Sequence, residues 1–373
     1  MRKAIYFILA FVLGLMALVA PARAALADTG GSACVTAGSS TLSDCANTGP
    51  GVYGIEARAL AATMAAHPAP DITPLTVDDR LLGQHAYRKV LQATDIYSAP
   101  GGGSVVGHID TGFNFVDAGR EVNNWIEIRP NEWLPDKMLG PVNKAVSHFA
   151  GVLLPNGVPD IPFGWVLLDT RPSRLPGVKA SKDIPEVKRY TLVNFFAVEK
   201  VGDWEWYLIG PDQWIEQRRV ARLQPVKRPD GVSGKWFAVD LYEQTMTAYQ
   251  DDKAIFVTLI SSGLPLWPTS EGLTKIWDRY ASTKMSGGGP NGGLAGNPDF
   301  YFLPEVPYIQ YFNTNEQALH GTYWHDGFGY RHSHGCVNLS MTDAKWAFDW
   351  TADQKDAYVY VYHSGVYKEG ATR

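Results

Sequence analysis

The chain has 373 residues, more than one hydrophobic core usually serves, so two or three domains are expected. An apolar share of 45% against 19% charged excludes global disorder, and a net charge of −5 with no local Lys/Arg cluster leaves no electrostatic footprint for nucleic acid. High counts of Gly (37) and Pro (24) beside 12 Trp and 18 Tyr favour short strands joined by tight turns, a mainly β protein.

Arg2 and Lys3 precede an apolar run over 4–20 and then Pro21-Ala22-Arg23-Ala24, the three parts of a secretory leader with cleavage expected after Ala24. Export to the periplasm or cell wall follows; if the leader is not cleaved, the run is close to the length that anchors a protein in a bilayer. Residues 25–84 are rich in Ala, Gly, Thr and Pro with weak periodicity and read as a tether or loosely ordered lead-in, apart from a short helical stretch near 55–66. Cys34 and Cys45 stand close together in this segment, where an oxidising compartment would close them into a small disulfide loop. Cys336 is then left alone.

Strand patterns at 87–96, 105–109, 113–116, 125–128 and 133–134 are separated by turn signals such as Ser98-Ala99-Pro100-Gly101, which suits a small barrel over 85–147. Residues 125–134 (WIEIRPNEWL) align without gaps on 206–215 (WYLIGPDQWI), each a strand, a Pro-Asn or Pro-Asp turn and a second strand. A related unit is therefore expected over 148–229, with an insertion near 178–188. The paired-Trp pattern of each block resembles a bacterial SH3-type domain, which implies binding of a glycan or other wall polymer, although any single Trp is more readily a core residue.

A polar break at 227–231 opens a last domain over 230–373, beginning with Trp236, Phe237, Val239 and Leu241. Its glycine-rich stretch at 286–297 is not followed by Lys-Ser or Lys-Thr, so it is no phosphate-binding loop. Ser340 with Asp343 three positions on is a capping signal for a helix to about Trp350, and Tyr358-Val359-Tyr360-Val361-Tyr362 reads as a closing strand.

Four of the nine histidines fall between 320 and 336 together with the unpaired cysteine. A thiol of ordinary pKa, roughly 8.5, is mostly protonated at neutral pH, so a working nucleophile needs a base beside it. A strand, loop, strand path would bring His320 to Cys336, and Gly335 lets the backbone turn tightly so that its N–H and that of Cys336 form an oxyanion hole.

His320-Gly321-Thr322, followed by Ser333-His334-Gly335-Cys336-Val337-Asn338, resembles the L,D-transpeptidase catalytic domain in order and spacing. Pro268-Thr269-Ser270-Glu271-Gly272 stands where that family has a Pro-Thr-Pro-x-Gly turn, with Ser270 replacing the second proline. The resemblance covers about 235–363 and implies a β-sandwich with a short helix after the cysteine, Cys336 as nucleophile, His320 as base and the Gly321 carbonyl orienting the imidazole. His334 lies in the motif with a less defined role, and Ser333, Asn338, Thr322 and Tyr323 are candidates for substrate contact. The implied substrates are peptidoglycan stem peptides, with a carbapenem as covalent inhibitor and neither metal nor organic cofactor required.

Other readings remain open at this level. Water in place of an acceptor amine would make an L,D-carboxypeptidase, and an inactive domain would leave a wall-binding protein. His332, His334 and Cys336 at alternate positions would share a face as zinc ligands, though without a fourth of familiar spacing, and Cys336 would also serve as an inert core thiol. His325 and His332 read as loop residues. A papain-like endopeptidase is disfavoured because its cysteine precedes its histidine.

Overall fold

The computed structural model describes residues 57–144, 146–287 and 300–365. The expected leader at 1–24, Cys34 and Cys45, and all but the first two residues of the stretch at 286–297 lie outside the described residues.

The C-terminal domain is a sandwich built on the strand Lys235–Asp240. This strand pairs antiparallel with Thr245–Gln250 and parallel with Tyr358–Tyr362, and the sheet runs on through Lys253–Leu259 on one side and Gly272–Lys275 on the other. Successive side chains alternate between its two faces. Phe237, Val239, Met246 and Val361 pack inward against Leu319, Val337, Leu339 and the helix Met341–Trp350. Trp236, Ala238, Tyr249 and Val257 point the other way, onto Phe163, Trp165, Ala221 and Leu223 from the block before it. Both faces are covered, which is why the central strand reads as a nearly continuous apolar run.

The helix begins where its capping signal stands: the Ser340 hydroxyl accepts the Asp343 N–H at 3.1 Å. The Asp343 carboxylate turns into the core, accepting the Gly151 N–H and the Thr258 hydroxyl.

The facing sheet contains Val337–Leu339, Ala318–Gly321 and the long strand Tyr301–Tyr311, which Asp278–Gly287 flanks. It does not stop at the domain boundary. Tyr301 and Phe302 pair in parallel with Phe113 and Asn114, and the sheet continues through Tyr87–Val90 to Leu139–Val142. The first block is thus joined to the last domain by backbone hydrogen bonds rather than standing apart.

The repeat is visible in three dimensions at a constant offset of 81 positions, 125 to 206. Trp125–Arg129 and Glu132–Pro135 form one hairpin, Trp204–Gly210 and Gln213–Glu216 the other, with Asn131 and Asp212 both at positive φ in the turn. Each hairpin leads into a 3-10 turn, Asp136–Met138 or Gln217–Arg219, and then a strand. Ile126, Leu134 and Leu139 form one small core, and their counterparts Tyr207, Ile215 and Val220 the other.

Two boundaries differ from expectation. Residues 57–84 of the expected lead-in belong to the fold: Thr73–Pro74 adds an edge strand through Val152–Leu153, and Leu81 of the turn of helix Asp79–Leu82 is buried in a core with Tyr87 and Tyr323. Residues 152–153, expected in the second block, belong to the C-terminal sheet. Strands of two residues carry too little periodicity to be read from sequence.

Candidate active site

His320 and Cys336 are brought together by one parallel pair of strands. Leu319, His320 and Gly321 face Val337, Asn338 and Leu339, so Cys336, two residues before Asn338, lies on the same face as His320 and diagonal to it. Both line a cavity of about 380 Å³ with Trp324, His332, Ser333, His334 and Asn338.

The turn before the cysteine is stitched from several directions. Gly335 sits at φ 118°, open to glycine and strained for other residues. Ser333 Oγ accepts the Gly335 N–H at 3.1 Å and donates to the Cys336 carbonyl at 2.5 Å. Thr269, in the Pro268-to-Gly272 turn, accepts the Gly263 N–H and donates to the Gly335 carbonyl at 2.8 Å. The expectation that the Gly335 N–H helps form an oxyanion hole is therefore corrected: Ser333 already takes that donor.

His320 is buried, and its Nδ1 lies 3.0 Å from the Gly321 carbonyl. A carbonyl only accepts, so Nδ1 carries the ring proton and Nε2 is left as the basic nitrogen. Burial lowers the imidazole pKa to about 4, against the pull of that hydrogen bond. Burial likewise pushes the Cys336 thiol up to about 11, opposed by a backbone hydrogen bond from Ala318. The residue keeps partial exposure while Leu303, Tyr323 and their neighbours desolvate the sulfur. At neutral pH the two groups are a neutral thiol and a neutral imidazole, not an ion pair.

The other expected contacts divide. Asn338 and Ser333 line the cavity, as does His334, whose ring lies 4.2 Å from Trp267 and 5.4 Å from Tyr301. Thr322 and Tyr323 do not. Tyr323 is fully buried, stacked at 3.5 Å on Tyr87 with its hydroxyl donating to the Pro304 carbonyl, and Thr322 is equally buried. Both are corrected to structural residues; each follows the strand into the core rather than the cleft.

Sequence reasoning missed several lining residues: Trp267, Tyr301, Leu303, Trp324 and, from the first block, Phe113. Trp324 was signalled only by its nearness to His320, and Phe113 by nothing local. His325, expected to be a loop residue without a task, is buried, hydrogen-bonded through both ring nitrogens and stacked at 4.1 Å on His332. The loop that carries it is clasped from the second block by Arg189 and Tyr190, which bond Asp326, and by Phe328 in the core beside Trp165.

His332, His334 and Cys336 do not gather as metal ligands. Among the described residues the one cluster with ligand atoms within 4.8 Å of each other is His85, Asp117 and Glu305, where the imidazole already pairs with both carboxylates.

Residues 234–361 match the YkuD family, the L,D-transpeptidase catalytic domain. No curated protein matches the chain. Among solved structures, the chain is similar to the catalytic domain of the E. faecium L,D-transpeptidase at 26% identity, covering 35% of this chain and 99% of that one with a TM-score of 0.31. The same E. faecium domain acylated by ertapenem gives 26% identity, 35% and 98% coverage and a TM-score of 0.30. An L,D-transpeptidase from Stackebrandtia nassauensis gives 28% identity over 38% of this chain, with a TM-score of 0.27; the match spans 60% of that chain, less than two thirds of its length. The cavity with His320 and Cys336 lies within the YkuD match.

Proposed function

We propose that the protein is an exported peptidoglycan L,D-transpeptidase working through a cysteine thioester. The observation that carries this reading is the convergence of His320 and a partly exposed Cys336 on one cavity inside the YkuD match. As a stem peptide enters, the Cys336 proton passes to His320 Nε2 while the sulfur attacks the carbonyl after the L-centre of the diamino acid. The tetrahedral intermediate collapses, the C–N bond breaks, and the imidazolium returns its proton to the departing D-residue amine. The D-centre amine of a second stem peptide then attacks the thioester, giving its proton to His320, and the thiol is restored as the crosslink forms.

Burial of both groups in their neutral forms supports this order of events, because charge then appears only as the substrate is attacked. Gly321 orients the base through its carbonyl, Gly335 shapes the turn, and His334 stands at the cavity wall. Water in place of the second amine would trim instead of crosslink. The two N-terminal β-blocks would hold the wall polymer, as the resemblance to SH3-type domains implies.

A carbapenem added to the folded protein should raise its intact mass by one β-lactam, with the adduct on the peptide containing Cys336. A wild-type mass unchanged after exposure, or an adduct elsewhere, would remove the reading. Defined muropeptides then separate crosslinked dimer from trimmed monomer.

A further inference from the structure

His325 and Asn338 together contain information about a proton and an amide that neither shows alone. His325 Nδ1 accepts the backbone N–H of Gly327 at 3.0 Å. Burial, with His332, His320 and Arg189 nearby, lowers its pKa to about 2, so the ring is neutral and has a single N–H, on Nε2. One end of the Asn338 amide lies 2.9 Å from that nitrogen. A donor cannot face a donor, and the two ends of an amide are told apart by their partners. The carbonyl oxygen of Asn338 therefore faces His325, and its NH2 occupies the opposite end.

That opposite end is buried and has no hydrogen-bond partner among the described residues. Asn338 is 2% exposed, lies directly across from His320 and lines the same cavity as Cys336. An unpaired buried donor is costly unless something arrives to accept from it. With the Gly335 N–H taken by Ser333, this NH2 is a further donor that the cavity offers to a carbonyl oxygen.

We propose that His325 is a positioning residue: its Nε2–H holds the Asn338 amide so that the NH2 donates to a carbonyl oxygen of the acyl donor beside Cys336. The inference rests on the acyl-transfer reading for its substrate, while the amide orientation stands on the hydrogen bonds alone. His332 stacks on the His325 ring at 4.1 Å and restricts its rotation.

Two measurements test it on the full-length protein. In ¹⁵N-labelled protein, with His325→Phe used for assignment, long-range ¹H–¹⁵N spectra should place the single ring proton of His325 on Nε2 from pH 5 to 9; a proton on Nδ1, or a charged ring, overturns the orientation. At pH 8, carbapenem acylation of Cys336 should fall about a hundredfold in Asn338→Asp and about tenfold in His325→Phe, and return to within about threefold of wild type in His325→Gln, which keeps a donor at the Nε2 position. Alkylation by iodoacetamide, which needs no carbonyl donor, should stay within about twofold of wild type in His325→Phe and His325→Gln. Equal losses in both reactions, or no rescue by Gln, would mean that His325 only packs the loop. If the wild-type protein takes up no carbapenem, the functional reading falls while the tautomer still decides the amide.

Discussion

The neutral state of the thiol and imidazole makes a quantitative claim about reactivity. With the Cys336 thiol at about 11, its thiolate fraction at pH 7 is about 10⁻⁴, against roughly 3% for an exposed cysteine of pKa 8.5. The more basic thiolate is intrinsically about tenfold more nucleophilic for a shift of this size, since reactivity rises with pKa at a Brønsted slope near 0.4–0.5. The two effects leave Cys336 about thirtyfold slower toward iodoacetamide at pH 7 than a free exposed thiol. Its rate should climb close to tenfold per pH unit from 7 to 10. Following the carbamidomethylated Cys336 peptide by mass spectrometry across pH 4 to 11 reads this directly. A rate that levels off by pH 6 would identify a preformed thiolate–imidazolium pair and refute the argument from burial.

Two further outcomes follow from the same cores. Asp343 is fully buried and its carboxyl is pushed up to about 6 from 3.8, so the folded state keeps a proton that the unfolded chain has lost between about pH 4 and 6. Stability contributed by that proton is present below 4 and lost as pH rises through 6, about 3 kcal/mol in all; urea midpoints of Asp343→Asn relative to wild type should rise across that window, and parallel curves would refute the burial account. Gly335→Ala places a Cβ 2.7 Å from Gln317 Nε2 at φ 118°, so it should lower stability by about 1–3 kcal/mol and slow carbapenem acylation more than iodoacetamide alkylation. Wild-type behaviour in both assays would show that the turn tolerates a side chain.

What was legible in the sequence is what local chemistry writes into it. His320 and Cys336 could be related because a strand, loop, strand path and the resemblance of both motifs to one family put them together, while the parallel direction of the two strands was not written there. The helix after Ser340 and the twin hairpins were legible because caps and turns are decided within a few residues. The pairing of Phe113 with Tyr301 left no trace, since partners that far apart share no period. Thr322 and Tyr323 were misplaced because they follow the strand Ala318–Gly321, where a motif position no longer names the face a side chain takes. Tyr87 and Phe115, from the first block, cover the face that Tyr323 occupies. His325 was passed over because a histidine in a loop announces nothing until its two nitrogens have named partners.

The parallel pairing of Tyr301–Phe302 with Phe113–Asn114 has a consequence for how this chain can be divided. A cut near residue 230 would bare the backbone of Tyr301 and Phe302 at the start of the longest strand and uncover the indole of Trp236, inviting a second copy to dock there. Swapping the leading blocks between proteins would strip away Phe113 and the clasp on Asp326 as well. A fragment cut at that boundary would therefore lose packing that surrounds His320 and Cys336, although both residues lie within it.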